Sequence, residues 1–368
     1  MRFFKALVAL IIVGAVVGVA AAFGGWLLLK NEVVRAGPSD VETTFIVEPG
    51  EPLGAIAARL EQKGLVRNDK IVRLHARFGG HETSLKAGEY AIPPRASISA
   101  ILDLLESGKV IQYRVTVPEG RTTAQVLKII EASPELTGDL PETPPAEGSL
   151  LPDTYLFSTG TTRIAMIERM QQAQTDLIDS LWDGRQDGLP FDTKEEAIIL
   201  ASVVEKETGL PAERPEIAGL FVNRLKKGMR LESDPTVIYG VSKGEPLMRT
   251  VNGRLVRRTL YRSELDRVTD WNTYQMDGLP KSPICNPGRD AIAAVLDPPE
   301  TEYIFFVADG TGGHLFSTTL AEHNRNVRDY RAYEREEIAR ERAEPDAEPE
   351  AEDAPADAPE ADTAEDEE

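Results

Sequence analysis

The chain has 368 residues, which is longer than one typical domain, so its length predicts two folded domains with additional segments. Its formal net charge of −20 argues against nucleic acid as a partner. A single cysteine, Cys285, excludes an intramolecular disulfide and every multi-cysteine metal or redox motif, and four scattered histidines leave little for a metal site. We therefore expect no metal and no other cofactor, and any catalysis has to rest on carboxylates, hydroxyls and amides.

The N-terminal segment predicts a membrane anchor. Residues 6–29 carry no charge, and as a helix they would be about 36 Å long at roughly 1.5 Å per residue, which spans a bilayer. A cleaved signal peptide is the alternative, because residues 20–22 (AAA) resemble a cleavage site, but the apolar core of a signal peptide is usually only about 7–15 residues long. Arg2 and Lys5 precede this segment, whereas Lys30 and Arg35 follow it, so the positive-inside rule gives only a slight preference for a cytoplasmic N-terminus. The rest of the chain is then expected on the other side of the membrane.

A small α+β module is expected at residues 43–111, after a linker at residues 31–42. Alternating and helical hydrophobic patterns predict strands at 43–47 and 88–92 and helices at 53–60, 70–78 and 97–105. The module resembles the LysM-like domain that binds glycan in cell-wall enzymes, although any small α+β domain could give the same pattern.

A larger mixed α/β domain is expected at residues 112–335. The predicted elements are a strand at 112–117, a helix from Thr122, an exposed loop at 133–149, helices at 163–182, 194–208 and 214–226, a buried strand at 303–308 and a closing helix at 319–330. Asn252-Gly253 predicts a hairpin within the arginine-rich segment 248–258, which is either a solvated loop or a contact for an anionic polymer.

The C-terminal segment, residues 336–368, is predicted to be a charged, disordered tail. Its last 26 residues hold thirteen acids and no Lys or Arg, so they cannot bury enough apolar surface to order themselves. The predicted fold class is therefore α+β: an N-terminal transmembrane helix, a small LysM-like module, a larger mixed α/β domain and a disordered acidic tail.

Two carboxylates at the end of the helix at 194–208 are the candidate catalytic groups. Thr193 and Glu196 form a capping box at its start, whereas Glu205 and Glu207 lie in the last turn, where the helix dipole disfavours negative charge and raises a carboxyl pKa. Glu207 continues the apolar stripe of the helix, and Glu205 lies about 200° away around the axis, so the two cannot act on one atom. One catalyst and one supporting residue is the natural division; the alternative is that both are surface acids at a frayed helix end.

The segments that follow combine hydroxyl, amide and aromatic side chains, which are the groups that a sugar site needs. These candidate cleft residues are Ser233, Asp234, Thr236, Tyr239, Asn272, Tyr274 and Asn286. Each could instead cap a turn or satisfy backbone groups.

Several segments in order along the chain resemble the endolytic murein transglycosylase, or YceG-like, family. They are residues 147–148 (EG), 151–155 (LPDTY), 200–208 (LASVVEKET), 221–225 (FVNRL), 228–231 (GMRL), 233–240 (SDPTVIYG), 272–274 (NTY), 278–280 (GLP), 286–288 (NPG), 306–310 (FVADG) and 313–314 (GH). The match covers about residues 1–335. Trp271 departs from the family pattern, where we expect Tyr, and segment 249–258 and the acidic tail lie outside it.

The resemblance implies a lytic transglycosylase at the bacterial inner membrane, with its catalytic domain in the periplasm. Such an enzyme cleaves the β-1,4 bond between N-acetylmuramic acid and N-acetylglucosamine in nascent peptidoglycan without water, leaves a 1,6-anhydro end and limits glycan strand length. It implies Glu207 as the catalytic residue, with Glu205 and the cleft residues binding substrate. Peptidoglycan strands and peptidoglycan synthases are the implied partners. The alternatives are a muramidase that uses Asp234 as second carboxylate and a non-catalytic scaffold that binds glycan.

Overall fold

The N-terminal helix α1 spans Arg2–Val34 in the computed structural model, which describes residues 2–79, 84–251 and 254–343. Within that part of the chain, α1 is the one helix long and apolar enough to cross a membrane, with Ile12–Val34 as the candidate span. In the most hydrophobic stretch of that span, no residue is buried by the rest of the described chain. The predicted apolar helix is thus present, and it continues five residues past the predicted end at residue 29.

The small module that follows contains all of its predicted elements. They are β1 (Thr43–Val47), α2 (Leu53–Gln62), α3 (Asp69–Gly79), β2 (Gly88–Ile92) and α4 (Ile98–Ser107). β1 and β2 pair antiparallel, with Phe45 opposite Tyr90, and both of these aromatic side chains are fully buried against the helices. Ser97 caps α4, and Gly108 ends it in the left-handed conformation, φ 70°. The LysM-like identity of this module stays a prediction.

A second unit has its own core between a two-stranded sheet and two helices. Its elements are β3 (Tyr113–Thr116), α5 (Thr123–Glu131), β4 (Thr154–Phe157) and α6 (Arg163–Trp182). β3 pairs antiparallel with β4, which the sequence did not predict as a strand. The loop at 133–149 is not wholly exposed as predicted, because Leu136 is buried in this core and Glu147 is half-buried.

A helical core forms the centre of the larger domain. Its helices are α7 (Lys194–Glu207), α8 (Arg214–Lys226), α9 (Asp234–Ser242), α10 (Arg262–Leu265) and α11 (Arg289–Leu296). The predicted capping box of Thr193 and Glu196 starts α7, whose apolar residues are buried on nearly every side. α8 and α11 pack on α7. The sequence predicted α7 and α8 but not α9 or α11.

The remaining strands form two short antiparallel hairpins. β5 (Met248–Val251) pairs with β6 (Arg254–Arg257), which confirms the predicted hairpin, although its turn at 252–253 lies outside the described residues. β7 (Phe305–Ala308) pairs with β8 (His314–Ser317). β7 was predicted to be buried and is only half-buried, because its partner strand and the closing helix are its main neighbours.

The closing helix α12 spans Leu320–Ala343. It is longer than predicted, so residues 336–343 are helical, and the predicted boundary of a disordered tail at residue 336 is wrong. Charged residues with strong helix propensity extend the helix past its last contacts with the sheet. The acidic residues 344–368 lie outside the described part of the chain.

Candidate functional site

Glu207 is the last residue of α7, and its carboxyl group meets the segment that starts α9. The Ser233 hydroxyl donates a hydrogen bond to Glu207 Oε2 over 2.7 Å. The other oxygen, Oε1, makes no hydrogen bond within the described residues. It is not fully buried either, so it is accessible. Glu207 is half-buried, which gives one anchored and one accessible oxygen.

The pKa of Glu207 is raised to about 7. Burial is the main cause, because it disfavours the charged carboxylate. The negative charge of Asp234 raises the pKa further, whereas the Ser233 hydrogen bond and the positive charge of Arg224 lower it. Near neutral pH the group is therefore divided between acid and carboxylate, as a general acid that also acts as a base requires.

Arg224 of α8 fixes the backbone that carries Ser233. Its Nη1 donates to the carbonyl oxygens of Arg230 and Leu231, each at 3.0 Å, and to Glu232 Oε2 at 3.1 Å. Glu232 adopts φ 54°, a left-handed conformation that is unfavourable for a residue with a side chain. The buried guanidinium thus stabilises a strained turn immediately before Ser233.

Buried hydroxyl groups hold Ser233 from its other side. The Ser233 backbone N–H donates to Thr273 Oγ1 at 3.0 Å, and the Thr236 hydroxyl donates to the Ser233 carbonyl at 2.6 Å. Thr236 and Thr273 also contact each other, with 2.8 Å between their hydroxyl oxygens. All three side chains are fully buried, so the position of the Ser233 hydroxyl is set by the interior of the domain.

Asp234 and Tyr274 lie at the open edge of the same cluster. Asp234 is exposed, and its Oδ1 accepts a hydrogen bond of 2.7 Å from the half-buried Tyr274 hydroxyl. Burial raises the pKa of Tyr274, and the charge of Asp234 raises it further, so the phenol stays a donor. Glu207, Ser233, Asp234 and Tyr274, which we call the Glu207 cluster, are thus brought together from three parts of the chain.

Glu205 lies away from this cluster, in an interior ion pair. Its Oε1 accepts a hydrogen bond of 2.8 Å from Arg214, and its Oε2 accepts one of 2.9 Å from the Gly288 backbone. Arg214 also binds Glu119 at 2.7 Å. Both oxygens of Glu205 accept hydrogen bonds and its side chain is buried, so its position fits a supporting role. Its predicted contact with substrate stays a prediction.

Glu147 forms a further buried contact that ties the long loop to two helices. Its Oε1 accepts from the Thr123 backbone at 2.6 Å, and its Oε2 accepts from the Tyr239 hydroxyl at 3.0 Å. Burial raises the pKa of Glu147. The Asn286 side chain completes the network by accepting from the Leu150 backbone at 2.9 Å and donating to the Arg121 carbonyl at 3.0 Å.

Asn272 is fully buried and serves the backbone. Its side-chain nitrogen donates to the carbonyl of Arg267 at 2.6 Å, and its side-chain oxygen accepts from the Tyr274 backbone at 2.9 Å. Thr236, Asn272 and Asn286 therefore all bind other parts of the chain. Their predicted contact with substrate stays a prediction, whereas Asp234 and Tyr274 are open to a ligand.

Sequence reasoning did not single out Arg224 and Thr273, which support the Glu207 cluster, or Arg214, which binds Glu205. Thr273 binds Ser233 from 40 residues away in the chain. The contacts of Arg224 with Arg230 and of Arg214 with Glu205 span 6 and 9 residues, which are not spacings that a helix or strand pattern marks. Within the described residues, no group of three His, Cys, Asp or Glu side chains could hold a metal ion.

Comparison with known proteins adds an independent observation. A family model described as the YceG-like family matches residues 45–329. An endolytic murein transglycosylase of Bacillus subtilis (strain 168) is 27% identical over 339 residues, which cover 83% of this chain and 90% of that protein. One of Streptococcus pneumoniae serotype 2 is 26% identical over 358 residues, covering 83% of this chain and 62% of that protein.

A crystal structure of a YceG-like protein from Listeria monocytogenes is also similar. It has 28% sequence identity and a TM-score of 0.46, and the match covers 78% of this chain and 99% of that one. The match to the YceG-like family model spans well over half of this chain. The chain belongs to the YceG-like family.

Proposed function

We propose that this protein is a membrane-anchored endolytic lytic transglycosylase of peptidoglycan. The single observation that carries the proposal is Glu207, a half-buried carboxyl with one anchored oxygen, one accessible oxygen and a pKa raised to about 7. The relatives that match most of this chain are named endolytic murein transglycosylases, which supports the same reaction class.

In the proposed reaction, Glu207 acts first as an acid and then as a base. Its accessible Oε1 protonates the glycosidic oxygen between N-acetylmuramic acid and N-acetylglucosamine as the bond to C1 breaks. The carboxylate then takes the proton of the muramyl C6 hydroxyl while O6 bonds to C1. The products are a 1,6-anhydro end and a free N-acetylglucosamine hydroxyl, and Glu207 regains its proton.

The neighbours of Glu207 have distinct proposed roles. The Ser233 hydrogen bond holds the carboxyl group in place and stabilises the carboxylate that forms when the proton leaves. Asp234, oriented by Tyr274, raises the pKa of Glu207 and faces the positive charge that develops at the sugar in the transition state. Thr236 and Asn272 are positioning residues that act through the backbone of Ser233 and Tyr274.

A muramidase with Asp234 as second carboxylate is the main alternative. A hydrolase needs a second carboxylate to activate water or attack the sugar, and Asp234 is an exposed acid whose negative charge acts on Glu207. A non-catalytic glycan-binding scaffold predicts binding to peptidoglycan without any product. The raised pKa of Glu207 favours an enzyme over the scaffold.

We propose that α1 anchors the enzyme in the inner membrane, with everything from Lys30 onward in the periplasm. Alkaline phosphatase fused after Ala343 should then be active, and protease added to spheroplasts should digest the body of the protein. Deleting residues 6–29 should abolish phosphatase activity in a matched control. A body that stays intact in protease-treated spheroplasts contradicts this topology.

Glu207→Gln and Glu205→Gln separate the catalytic carboxylate from the structural one. Glu207→Gln should lose turnover by about 10²–10⁴-fold or more, because the amide can neither donate nor take the proton. Glu205→Gln should keep a measurable share of turnover per folded molecule but lose about 1.5–3 kcal/mol of stability, because Arg214 loses a charged partner. Release of anhydromuropeptides and denaturant unfolding at pH 7 measure both effects.

The stability of Glu207→Gln provides the control for this pair. Folding raises the pKa of Glu207 from 4.5 to about 7, so its contribution to stability is complete below pH 4.5 and is lost as the pH rises through 7. The glutamine variant should therefore be at least as stable as the wild type at pH 8. Equal turnover in the two variants, or a Glu207→Gln protein that unfolds well below the wild type, contradicts the assignment.

The pH profile tests the environment of Glu207 directly. Turnover should fall above about pH 7 as the acid form is lost. Asp234→Asn removes a negative charge and should move this fall to lower pH, whereas Ser233→Ala removes a hydrogen bond to the carboxylate and should move it to higher pH. If neither substitution shifts the profile, another group supplies the proton.

A further inference from the structure

A cavity of about 290 Å³ lies beside the last turn of α7 and the first turn of α9. Lys206 and Pro235, which flank Glu207 and Asp234 in the chain, line it, whereas Glu207 and Ser233 do not. The cavity therefore adjoins the Glu207 cluster without being part of it. Its apolar lining residues are Pro235, Ile238, Tyr239, Pro246, Leu247 and Ile284.

The charged groups of this cavity leave an excess of positive charge. Arg258 is neutralised by Glu264, with two contacts of 2.7 Å, and the acidic lining residue Glu245 pairs with Lys128 at 3.3 Å. Lys206 and Arg257 are both exposed, and neither forms an ion pair with a carboxylate among the described residues. Two cations are thus available to an anionic ligand.

The two cations come from different elements of the fold. The Lys206 ammonium group donates a hydrogen bond of 3.3 Å to the Gly120 carbonyl, which fixes its side chain along the cavity. Arg257 lies on β6, opposite Met248 of β5, in the arginine-rich hairpin to which the proposed reaction gives no role. The hairpin therefore contributes one wall of the cavity.

We propose that this cavity binds the peptide stem of peptidoglycan. The inference rests on the proposed function, because the stem is attached through the lactyl group at C3 of the same muramyl sugar whose C1 reacts at Glu207. The stem therefore begins close to Glu207 and can extend from the reacting sugar into the neighbouring cavity. The carboxylates of the stem can pair with Lys206 and Arg257, and its methyl side chains can pack against the apolar lining residues.

The consequence is a preference for glycan strands that carry peptide stems. Stem binding then contributes to the transition state through contacts remote from the scissile bond. Strands from which an amidase has removed the stems lose this contribution. The enzyme should therefore act on newly made, stem-bearing strands before denuded ones.

Arg257→Glu is the test variant, and Arg254→Glu is its matched control. Both residues are exposed on β6, but strand alternation points them to opposite faces of the hairpin, and only Arg257 lines the cavity. Arg257→Glu should lower kcat/KM for stem-bearing strands about five- to tenfold and leave denuded strands unchanged. Arg254→Glu should change neither, and both variants should melt like the wild type.

Binding of soluble muropeptides separates this inference from the proposed reaction. Calorimetry should show that the wild type binds a disaccharide-tetrapeptide more tightly than the same disaccharide without peptide, and that Arg257→Glu removes the difference. Equal binding of the two ligands by the wild type overturns the stem site, whether or not the protein cleaves glycan. Equal loss of kcat/KM on both kinds of strand in Arg257→Glu also overturns it. A wild type that binds the stem but releases no anhydro product refutes the proposed reaction alone.

Discussion

The hydrogen bond from Ser233 to Glu207 is the contact on which the site depends. It joins the end of α7 to the start of α9, and its geometry is fixed by groups that lie deeper in the domain. Arg224 binds the carbonyl oxygens before Ser233, and the Thr236 and Thr273 hydroxyls bind its own backbone. A carboxyl group anchored in this way loses little freedom in the reaction, because its orientation is set before substrate arrives.

One helical turn produces two different carboxylates. Glu205 faces inward, where Arg214 and the Gly288 backbone occupy both of its oxygens. Glu207, at the last position of the same helix, has one neutral donor and an accessible oxygen. Burial raises the pKa of both residues, but only Glu205 has a cation bound directly to it. The difference in partners, rather than in residue type, separates a structural acid from a group that can give up a proton.

Local patterns predicted the elements that carry their own boundary signals. The capping box at Thr193 marked the start of α7, and the apolar stripe along it correctly assigned Glu205 and Glu207 to different faces. α9 was missed because its first residues are polar and were considered only as candidate sugar ligands, although Ser233 followed by Pro235 in the first turn is a helix-start signal. α11 is only eight residues long, too short for a clear periodic pattern.

Contacts between distant segments could not be predicted in the same way. Glu147 binds Tyr239, and Arg214 binds both Glu119 and Glu205, and no sequence spacing marks either group of partners. For the same reason, the sequence could not show that Asn272 and Asn286, which it proposes as sugar ligands, also bind backbone groups elsewhere in the chain. Residue type suggested a sugar site, but tertiary packing decides which amides remain free to form it.

The most direct test of a one-carboxylate mechanism is the mass of the glycan ends made in water enriched in oxygen-18. Internal attack by the muramyl O6 predicts anhydro ends that are one water lighter than reducing ends and that contain no solvent oxygen. Reducing ends that carry oxygen-18 would show that water attacks C1, and Glu207 would then need a second carboxylate as partner.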